Sequence, residues 1–505
     1  MPDRTTPLRA LLGSGRLIDE HRPWPRAWVS EVGWRAAADH LAAGELLLLA
    51  LFGEARAVHM AVLDEGTGEL TVISLACRER FPSVSRVHPP AARLERTIYD
   101  LFGLEAEGAM DERPWLDHGV WGIRHPLGDQ PRPPAEPEPY AFLPADGESL
   151  HRIPVGPVHA GIIEPGHFRF TASGETVVRL EERLGYVHKG IEALMAGADL
   201  ARAAKLAGRT SGDSTVAYAL AFARAAEAAT GTEAPARAVW LRALMAELER
   251  VANHLGDIGA VCNDAAFALM HAHCGVLRER VLRTADVCFG HRLMMDRIVP
   301  GGVAVDLAAD GGGAIREVLA SIRRRFPELI ELYENTASLQ DRTVATGRVS
   351  PELVRRFGAG GHVGRAAGRP FDARRTPGYP PYGELKFNVP VLNESDVDAR
   401  VRVRIREVEQ SLSMIEQILE RLPEGPIRVE VPAVAGEGMA LAEGFRGDVL
   451  VWLRMRANGR VHRCHLRDPS WFQWPLLEAA IEGNIVADFP LCNKSFNCSD
   501  SGHDL

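Results

Sequence analysis

Five prolines within ten residues divide this chain of 505 residues into two parts. Residues 130–139 read QPRPPAEPEP, and a proline inside a helix removes a backbone hydrogen bond and clashes with the preceding turn. Proline-rich chain is extended and semi-rigid, as in linkers between domains. The sequence therefore predicts a domain at residues 1–129, a linker at residues 130–150 and a second domain at residues 151–505.

The first part has the pattern of a small α+β domain. Short apolar runs bounded by turn residues predict strands at residues 46–52, 57–64 and 70–77. Apolar residues at spacings of three and four predict helices at residues 34–44 and 91–103. We therefore expect a few strands covered by two helices.

The second part is predicted to be mostly helical. A strand-like opening at residues 155–170 precedes three segments with a helical apolar stripe, at residues 183–195, 235–260 and 396–422. A small β layer is then expected at residues 427–432 and 449–467, where Asn458-Gly459 is a good hairpin turn. The whole chain is therefore expected to be an α+β protein with a helical second domain.

Composition excludes several classes of protein. The hydrophobic content of 46% and charged content of 25% are typical of soluble globular proteins. Apolar runs such as residues 46–52 are far shorter than the roughly 18 residues of a membrane-spanning helix. The net charge of −9 comes without a concentrated basic patch, which argues against a nucleic-acid partner. No secretory signal is recognisable at the N-terminus, so a cytosolic setting is expected.

The cysteines do not form a metal-binding or disulfide pattern. Seven are scattered through the chain with no Cys-x-x-Cys motif. This distribution argues against a disulfide framework and against an iron–sulfur site within this chain.

Several motifs that occur in one order along the chain resemble two related subunits. ERTIYDLFG, followed by residues 111–124, resembles the small peripheral subunit of respiratory complex I. GPVHAGIIEPGHFRF, LGYVHKGIE, MAELERVANHLGDIG and GRAAGRPFDARR resemble its quinone-site subunit, a relative of the large subunit of nickel–iron hydrogenases. Fusion of the two is characteristic of the large subunits of membrane-bound, energy-converting hydrogenases of the formate hydrogenlyase type. The resemblance implies a hydrogenase-large-subunit-like second domain.

The resemblance also implies that the metal site is degenerate. In the nickel–iron enzymes two Cys-x-x-Cys pairs hold the metals through four thiolates. GRTSGDST and the terminal NKSFNCSDSGHDL match these motifs, which places other residues at the four thiolate positions: Ser211, Ser214, Ser499 and Gly502. A serine hydroxyl does not ionise near neutral pH as a thiol does, so no metal is expected. Cys492 and Cys498 lie out of register, with a Cys-x5-Cys spacing unlike that of the family; that they still hold a metal stays an alternative.

The corresponding complex I subunit also lacks the thiolates and places a quinone headgroup between a tyrosine and a histidine. The resemblance therefore makes a quinone one candidate ligand. The tyrosine position falls near Gly212 in this chain, and Tyr218 lies six residues further on. His167 is the best match for the histidine, and His159 precedes it on the same loop.

Three residues are candidates for proton transfer in such a cleft. His159 and His167 lie close to Glu164, and imidazole titrates near neutral pH. A purely structural role of the two histidines in a strand turn stays open. Asp213 precedes an apolar helical run, where helix capping is the alternative to proton transfer.

Other ionisable residues interrupt apolar helices. They form either a solvated face or buried pairs that couple protonation to redox state. In residues 183–195 and 235–260 these are His188, Lys189, Glu192, Glu247, Glu249, Arg250, His254 and Asp257. Arg250 is predicted to form a structural ion pair.

A later loop carries four more charged residues: Arg365, Asp372, Arg374 and Arg375. It resembles a family loop near the iron–sulfur cluster of the neighbouring chain. A simple surface loop is the alternative.

The resemblance implies a subunit of a membrane-associated oxidoreductase. No residue here is expected to hold an iron–sulfur cluster, so electrons should come from a small iron–sulfur partner subunit. Membrane subunits are the other expected partners, with this chain peripheral on the cytoplasmic side of the cell membrane. Two alternatives stay open: a true nickel–iron hydrogenase large subunit with unusual ligands, and a non-catalytic module for structural or conformational coupling.

Overall fold

The computed structural model describes residues 6–134, 136, 139–159 and 163–505. Part of the predicted linker (residues 135, 137 and 138) and part of the GPVHAGIIEPGHFRF loop (residues 160–162) therefore lie outside the described residues. Helices and several small mixed sheets confirm the predicted α+β class.

The N-terminal part folds around a five-stranded sheet. Its helices are α1 (Pro7–Gly13), α2 (Glu31–Ala42) and α3 (Ala92–Phe102). Its strands are β1 (Arg16–Leu17), β2 (His21–Arg22), β3 (Arg26–Trp28), β4 (Leu47–Glu54), β5 (Ala57–Leu63), β6 (Leu70–Ala76), β7 (Arg80–Pro82) and β8 (Glu105–Glu107). The sheet order is β1-β3-β6-β5-β4. The three predicted strands and two predicted helices are confirmed.

The second part is mostly helical. Its helices are α4 (Ile191–Met195), α5 (Leu200–Ala207), α6 (Thr215–Thr230), α7 (Ala236–Asp264), α8 (Ala268–Phe289), α9 (Gly311–Asn335), α10 (Ala337–Thr343), α11 (Pro351–Phe357), α12 (Gly361–Ala366), α13 (Val397–Arg421), α14 (Ser470–Ala480), α15 (Phe489–Phe496) and α16 (Asp500–Asp504). Its strands are β9 (Leu150–Val155), β10 (His167–Ser173), β11 (Thr176–Arg183), β12 (Ile298–Val299), β13 (Gly302–Val303), β14 (Gly436–Glu443), β15 (Asp448–Met455) and β16 (Val461–Arg467).

Two long helices form the centre of this part. Helices α7 and α13 match the predicted segments, and Asp396 caps α13 by accepting a 2.8 Å hydrogen bond from the Ala399 amide. Most of their apolar residues are buried in one core with α6, α8 and α9. Helical spacing alone was sufficient here because apolar burial stabilises a long amphipathic helix.

A four-stranded sheet joins the two parts of the chain. The order β16-β15-β14-β2 adds a strand of the N-terminal part to the predicted hairpin, which is confirmed. Glycines let α6 lie directly on this sheet: a Cβ on Gly436 would be 1.9 Å from Ala229 O, and one on Gly438 would be 2.0 Å from Ala225 O. The N-terminal part is therefore packed against the helical body.

The prediction of a helix at residues 183–195 is wrong over its first half. Arg183 ends β11, and a loop leads to α4, which begins at Ile191. Gly185 and Gly190 have φ angles of 99° and 66°, which a right-handed helix does not allow. The strand predicted at residues 427–432 is also wrong, because only an isolated bridge joins Arg428 to Gly302.

Within the described ranges, we find no helix that combines the length and the apolar character required to span a bilayer.

Candidate functional site

A cleft of about 350 Å³ lies where the segment before α6 meets the C-terminal helices. It is lined by residues 211–213 and Arg446, and by Glu164, Phe168 and Trp474. Residues 497–501, from the end of α15 to the start of α16, also line it. The cleft is therefore built by segments that are distant in the sequence.

Two of the four positions matched to metal-binding thiolates, Ser211 and Ser499, line this cleft. Their Oγ atoms are 2.9 Å apart, and Ser499 Oγ also accepts a hydrogen bond from the Gly502 amide at 2.9 Å. Ser214 Oγ lies 3.1 Å from Arg446 Nη1, which donates to it and also lines the cleft. The hydrogen bond between the two serine hydroxyls thus joins the early motif to the late one.

The residues present do not fit a nickel–iron centre. A Cβ on Gly502 would lie 2.4 Å from Asp468 Oδ2 and 2.6 Å from Asp468 Cγ. Asp468 is held in that place by Tyr218, whose hydroxyl donates to it at 2.6 Å, and by the Ser470 amide at 2.8 Å. A carboxylate therefore occupies the space in which a fourth ligand side chain would begin, and the other three positions offer hydroxyl groups instead of soft thiolates.

Of the two cysteines near the C-terminus, Cys498 is among the described residues that line the cleft and Cys492 is not. Burial raises the pKa of the Cys498 thiol well above the usual value, which favours the neutral form. Cys492 packs against Gly347, and burial raises its thiol pKa to about 11. Over the described ranges, no group of three or more His, Cys, Asp or Glu residues has an arrangement that could hold a metal ion.

Asp213 forms an ion pair and does not cap α6. Arg446 donates to both of its carboxylate oxygens, at 2.7 Å and 2.5 Å. Burial opposes ionisation, but Arg446 and the neighbouring serine hydroxyls lower the pKa of Asp213 below its usual range. The first turn of α6 is capped by Glu249 of α7 instead, which accepts from the Val216 and Ala217 amides at 2.7 Å and 3.1 Å. The capping role expected for Asp213 is therefore wrong.

The two candidate histidines bind backbone near the ends of their loop. His159 Nε2 lies 2.8 Å from Gly166 O, and His167 Nδ1 lies 3.2 Å from Gly156 O. Neither is among the described residues that line the cleft; His167 lines a separate cavity of about 680 Å³. Of the loop's candidates, only Glu164 reaches the cleft, where it accepts from the Ser501 amide at 2.9 Å.

Asp500 is a cleft residue that sequence reasoning missed. It follows a matched thiolate position, and its side chain lines the cleft. Burial raises the pKa of this carboxyl to about 8, helped by the negative charges of Asp504 and Glu164. A carboxyl with such a pKa can exchange a proton near neutral pH. Only its position directly after Ser499 could have indicated it.

Charged residues of α7 and of the later loop meet in a buried ion-pair network. Arg250 lies 3.3 Å from Glu247, and Arg365 lies 2.7 Å from Glu407, which also accepts from His254 at 2.7 Å. All five side chains are at most 1% exposed. The solvated-face interpretation of α7 is therefore wrong for these residues.

The later loop contributes to the same network. Arg374 bridges Asp372 at 2.7 Å and Glu247 at 2.9 Å, and Arg365 Nη1 lies 2.9 Å from Glu443. The surface-loop alternative is wrong for this loop, because Arg365, Asp372 and Arg374 are buried. Glu407 and Glu443, which hold the network together, carry no signal in the sequence.

A hydrogen-bonded path leads from the cleft to His362, on which the charges of Glu407 and Arg365 act. Asn497 lines the cleft and donates to Asp257 at 2.9 Å. Asp257 pairs with Arg404 at 3.2 Å, and Arg404 Nη2 lies 2.9 Å from His362 Nε2. Burial and the charge of Arg404 lower the pKa of His362 well below its usual value, so this imidazole is neutral and can accept from Arg404.

His188 and Glu192 lie away from the network. His188 stacks on Trp121 with ring centroids 4.5 Å apart, in the loop before α4. Glu192 pairs with Arg463 at 2.7 Å and His465 at 2.8 Å. Burial opposes ionisation, but these two partners lower the pKa of Glu192 to about 2. The two residues were expected on one helix, and the glycine-rich loop separates them.

Comparisons with known families and proteins agree with the motifs. Residues 55–133 match the family described as respiratory-chain NADH dehydrogenase, 30 Kd subunit, and residues 266–437 match that of the 49 Kd subunit. Formate hydrogenlyase subunit 5 of Escherichia coli (strain K12) is 32% identical over 84% of this chain and 78% of its own length.

Two further proteins are similar to this chain. The carbon monoxide-induced hydrogenase of Rhodospirillum rubrum is 31% identical over 69% of this chain and 98% of its own length. A chain in the solved structure of the membrane-bound sulfane sulfur reductase, an archaeal respiratory membrane complex, superposes with a TM-score of 0.67 at 26% identity. That match covers 72% of this chain and 100% of the other.

Proposed function

Because this chain belongs to the family of fused complex I 30 kDa-type and 49 kDa-type subunits that includes formate hydrogenlyase subunit 5, we propose that it serves a membrane-associated oxidoreductase without a nickel–iron centre of its own. In this role it accepts electrons at the cleft from a partner and couples redox or proton chemistry to a membrane arm. A quinone headgroup is one candidate ligand of the cleft.

The observation that carries this proposal is the structure around the residues that replace the four thiolate ligands. A hydrogen bond joins Ser211 to Ser499, and Asp468 fills the space beside Gly502. The soft, anionic ligands that a low-potential nickel–iron centre requires are replaced by hydroxyl groups and one glycine. The scaffold around the site nevertheless keeps a cleft that a small polar ligand can enter.

The path from the cleft to His362 supports a coupling role. Asn497, Asp257 and Arg404 connect the cleft to this buried histidine, on which the charges of Glu407 and Arg365 act. A change of charge in the cleft alters the electrostatic potential at these groups strongly, because few water molecules screen it. Buried pairs of this kind can respond to a redox change by taking up or releasing a proton.

We infer the partners from the family and from the need for an iron–sulfur cluster that supplies electrons. Electrons need an iron–sulfur cluster close to the cleft, and we propose that this cluster lies in a small electron-transfer subunit. We further propose that membrane subunits bind this assembly and that the chain is peripheral on the cytoplasmic side of the membrane.

Affinity purification of the tagged chain from membranes tests the proposal. We expect iron–sulfur and membrane subunits to co-purify, with iron but no stoichiometric nickel, and electron transfer that depends on an added acceptor. Stoichiometric nickel that remains bound to this chain would instead indicate a hydrogenase with unusual ligands. Intact assembly without any acceptor-dependent electron transfer would indicate a structural coupling module.

A further inference from the structure

Two carboxylates, one buried and one half-buried, share one arginine. Arg93 of α3 contacts Glu182 of β11 at 3.2 Å and Glu478 of α14 at 2.7 Å. The Glu182 side chain is fully buried, and that of Glu478 is 22% exposed. The Glu182 amide also donates to Glu478 Oε1 at 2.8 Å, so that the two carboxylates are held side by side.

Arg93 is the cation that pairs with both carboxylates. Glu181, the neighbour on β11, pairs with Arg113 at 2.6 Å, and its charge raises the pKa of Glu478 further. Asp500 of α16 adds a negative charge that acts on Glu182. Within the described part of the chain, Glu182 Oε1 has no hydrogen-bond partner although it is buried. Two carboxylates therefore face one guanidinium.

An unpaired buried carboxylate is much more costly than a neutral carboxyl group. Burial and the charge of Glu478 raise the pKa of Glu182 well above its usual value, and burial raises that of Glu478. The unpartnered Oε1 of Glu182 is the oxygen on which a proton can reside, since Oε2 accepts from Arg93.

We propose that Arg93, Glu182 and Glu478 form a proton-binding cluster that holds one proton at neutral pH and exchanges it with the cleft. The exchange of this proton with the cleft rests on the proposed function. The position of the cluster supports it: Trp474 lines the cleft one helical turn before Glu478, and Asp500 in the cleft interacts electrostatically with Glu182. Glu478 provides the contact with solvent.

The proton balance of one exchange is simple. The Glu182 carboxyl donates its proton to the electron acceptor that is reduced in the cleft, and the resulting carboxylate pairs with Arg93. Glu478 then takes up a proton from solvent, and the pair again holds one proton. The cluster itself is neither oxidised nor reduced.

Infrared spectroscopy of the purified full-length chain tests proton storage without any partner. The measurement is the carbonyl-stretch absorption of protonated carboxyl groups, as a difference between wild type and variant at neutral pH. We expect Glu182→Gln to remove one protonated carboxyl per chain. We expect Glu478→Gln to remove the same single carboxyl, because Glu182 then forms a one-to-one ion pair with Arg93 and ionises.

The matched control is Glu181→Gln, which changes the neighbouring residue on β11, whose carboxylate pairs with Arg113 and not with Arg93. It should leave the protonated-carboxyl absorption unchanged. Loss of the absorption in Glu182→Gln alone would contradict a shared proton, and no loss in either variant would contradict the cluster altogether. Chemical unfolding verifies that each variant is folded.

Proton exchange with the cleft is tested in the assembly purified from membranes. We expect Glu182→Gln to shift the pH profile of acceptor-dependent electron transfer, whereas Glu181→Gln retains the wild-type profile. An unchanged profile in active Glu182→Gln would overturn the exchange while leaving proton storage intact. Absence of electron transfer in the wild-type assembly would instead overturn the proposed function.

Discussion

The hydroxyl oxygens of Ser211 and Ser499 lie 2.9 Å apart, although 288 positions separate the two residues in the sequence. Their contact joins the two motifs that carry metal-binding thiolates in nickel–iron hydrogenases. A hydrogen bond between neutral groups contributes about 1 kcal/mol, so it can hold the motifs together but cannot replace the ligands of a redox metal. The contact therefore brings two distant segments of the chain together at the cleft.

Gly502→Ala should destabilise the protein because the new methyl group meets the Asp468 carboxylate. Overpacking of this kind costs about 1–3 kcal/mol. Chemical denaturation should show a lower midpoint with an unchanged slope. Gly212→Ala is the matched control in the same cleft, since its Cβ would meet no atom within 4 Å. Equal stability of the two variants would show that Asp468 does not fill this space.

Arg446→Gln should lower the free energy of unfolding, and the loss should be largest at neutral pH. It removes the partner of Asp213, and breaking a buried ion pair costs about 3–5 kcal/mol. We expect about 1–3 kcal/mol here because the Asp213 side chain is 35% exposed and partly screened by solvent.

The pH dependence of this effect has a defined sign. The folded-state pKa of Asp213 lies below its unfolded value of 3.8, so the pair contributes its full stability above that value. The contribution is lost as the pH falls through the lower, folded pKa. Unfolding free energies of wild type and Arg446→Gln should therefore converge at strongly acidic pH. A difference that persists or grows there would contradict the ion pair.

A structural feature could be predicted from the sequence where its physical cause lies within one short segment of the chain. Apolar spacing predicted α7 and α13, because that signal lies within one segment. The helix expected at residues 183–195 failed because two glycines adopt left-handed backbone conformations that apolar spacing does not reveal.

The charged sites needed information that no single segment contains. Asp213 lies in a short segment, but its partner Arg446 is 233 positions away. Glu182 has a buried carboxylate neighbour only because α14 packs against β11. Whether a buried carboxylate is ionised depends on its partners from distant segments. The spacing of apolar residues within one helix or strand does not reveal those partners.

Glu249→Gln should lower the free energy of unfolding at acidic pH and raise it at alkaline pH. Burial raises the folded-state pKa of Glu249 to about 8 from an unfolded-state value of 4.5. The folded protein therefore binds one more proton than the unfolded chain between these values, and the contribution of Glu249 is lost as the pH rises through about 8. At acidic pH the variant should be less stable, because one amide cap of α6 is weakened.

Urea unfolding at a series of pH values measures this effect. The stability of wild type relative to Glu249→Gln should fall steadily between the two pKa values and then become constant. A relative stability that is independent of pH would show that Glu249 is ionised in the folded protein.

Glu407→Gln should be among the most destabilising single substitutions in the helical body. Glu407 is 1% exposed and interacts with Arg365 and His254, so its neutralisation leaves a buried guanidinium without its closest carboxylate. Removing one member of a buried pair costs about 3–5 kcal/mol. Glu416→Gln on the same helix is the control: its pair with Arg323 is 41% and 45% exposed, and such surface pairs contribute about 0–1 kcal/mol. Thermal and urea unfolding of the two variants should therefore differ by several kcal/mol, and a loss below about 1 kcal/mol in Glu407→Gln would mean that the network is hydrated in solution.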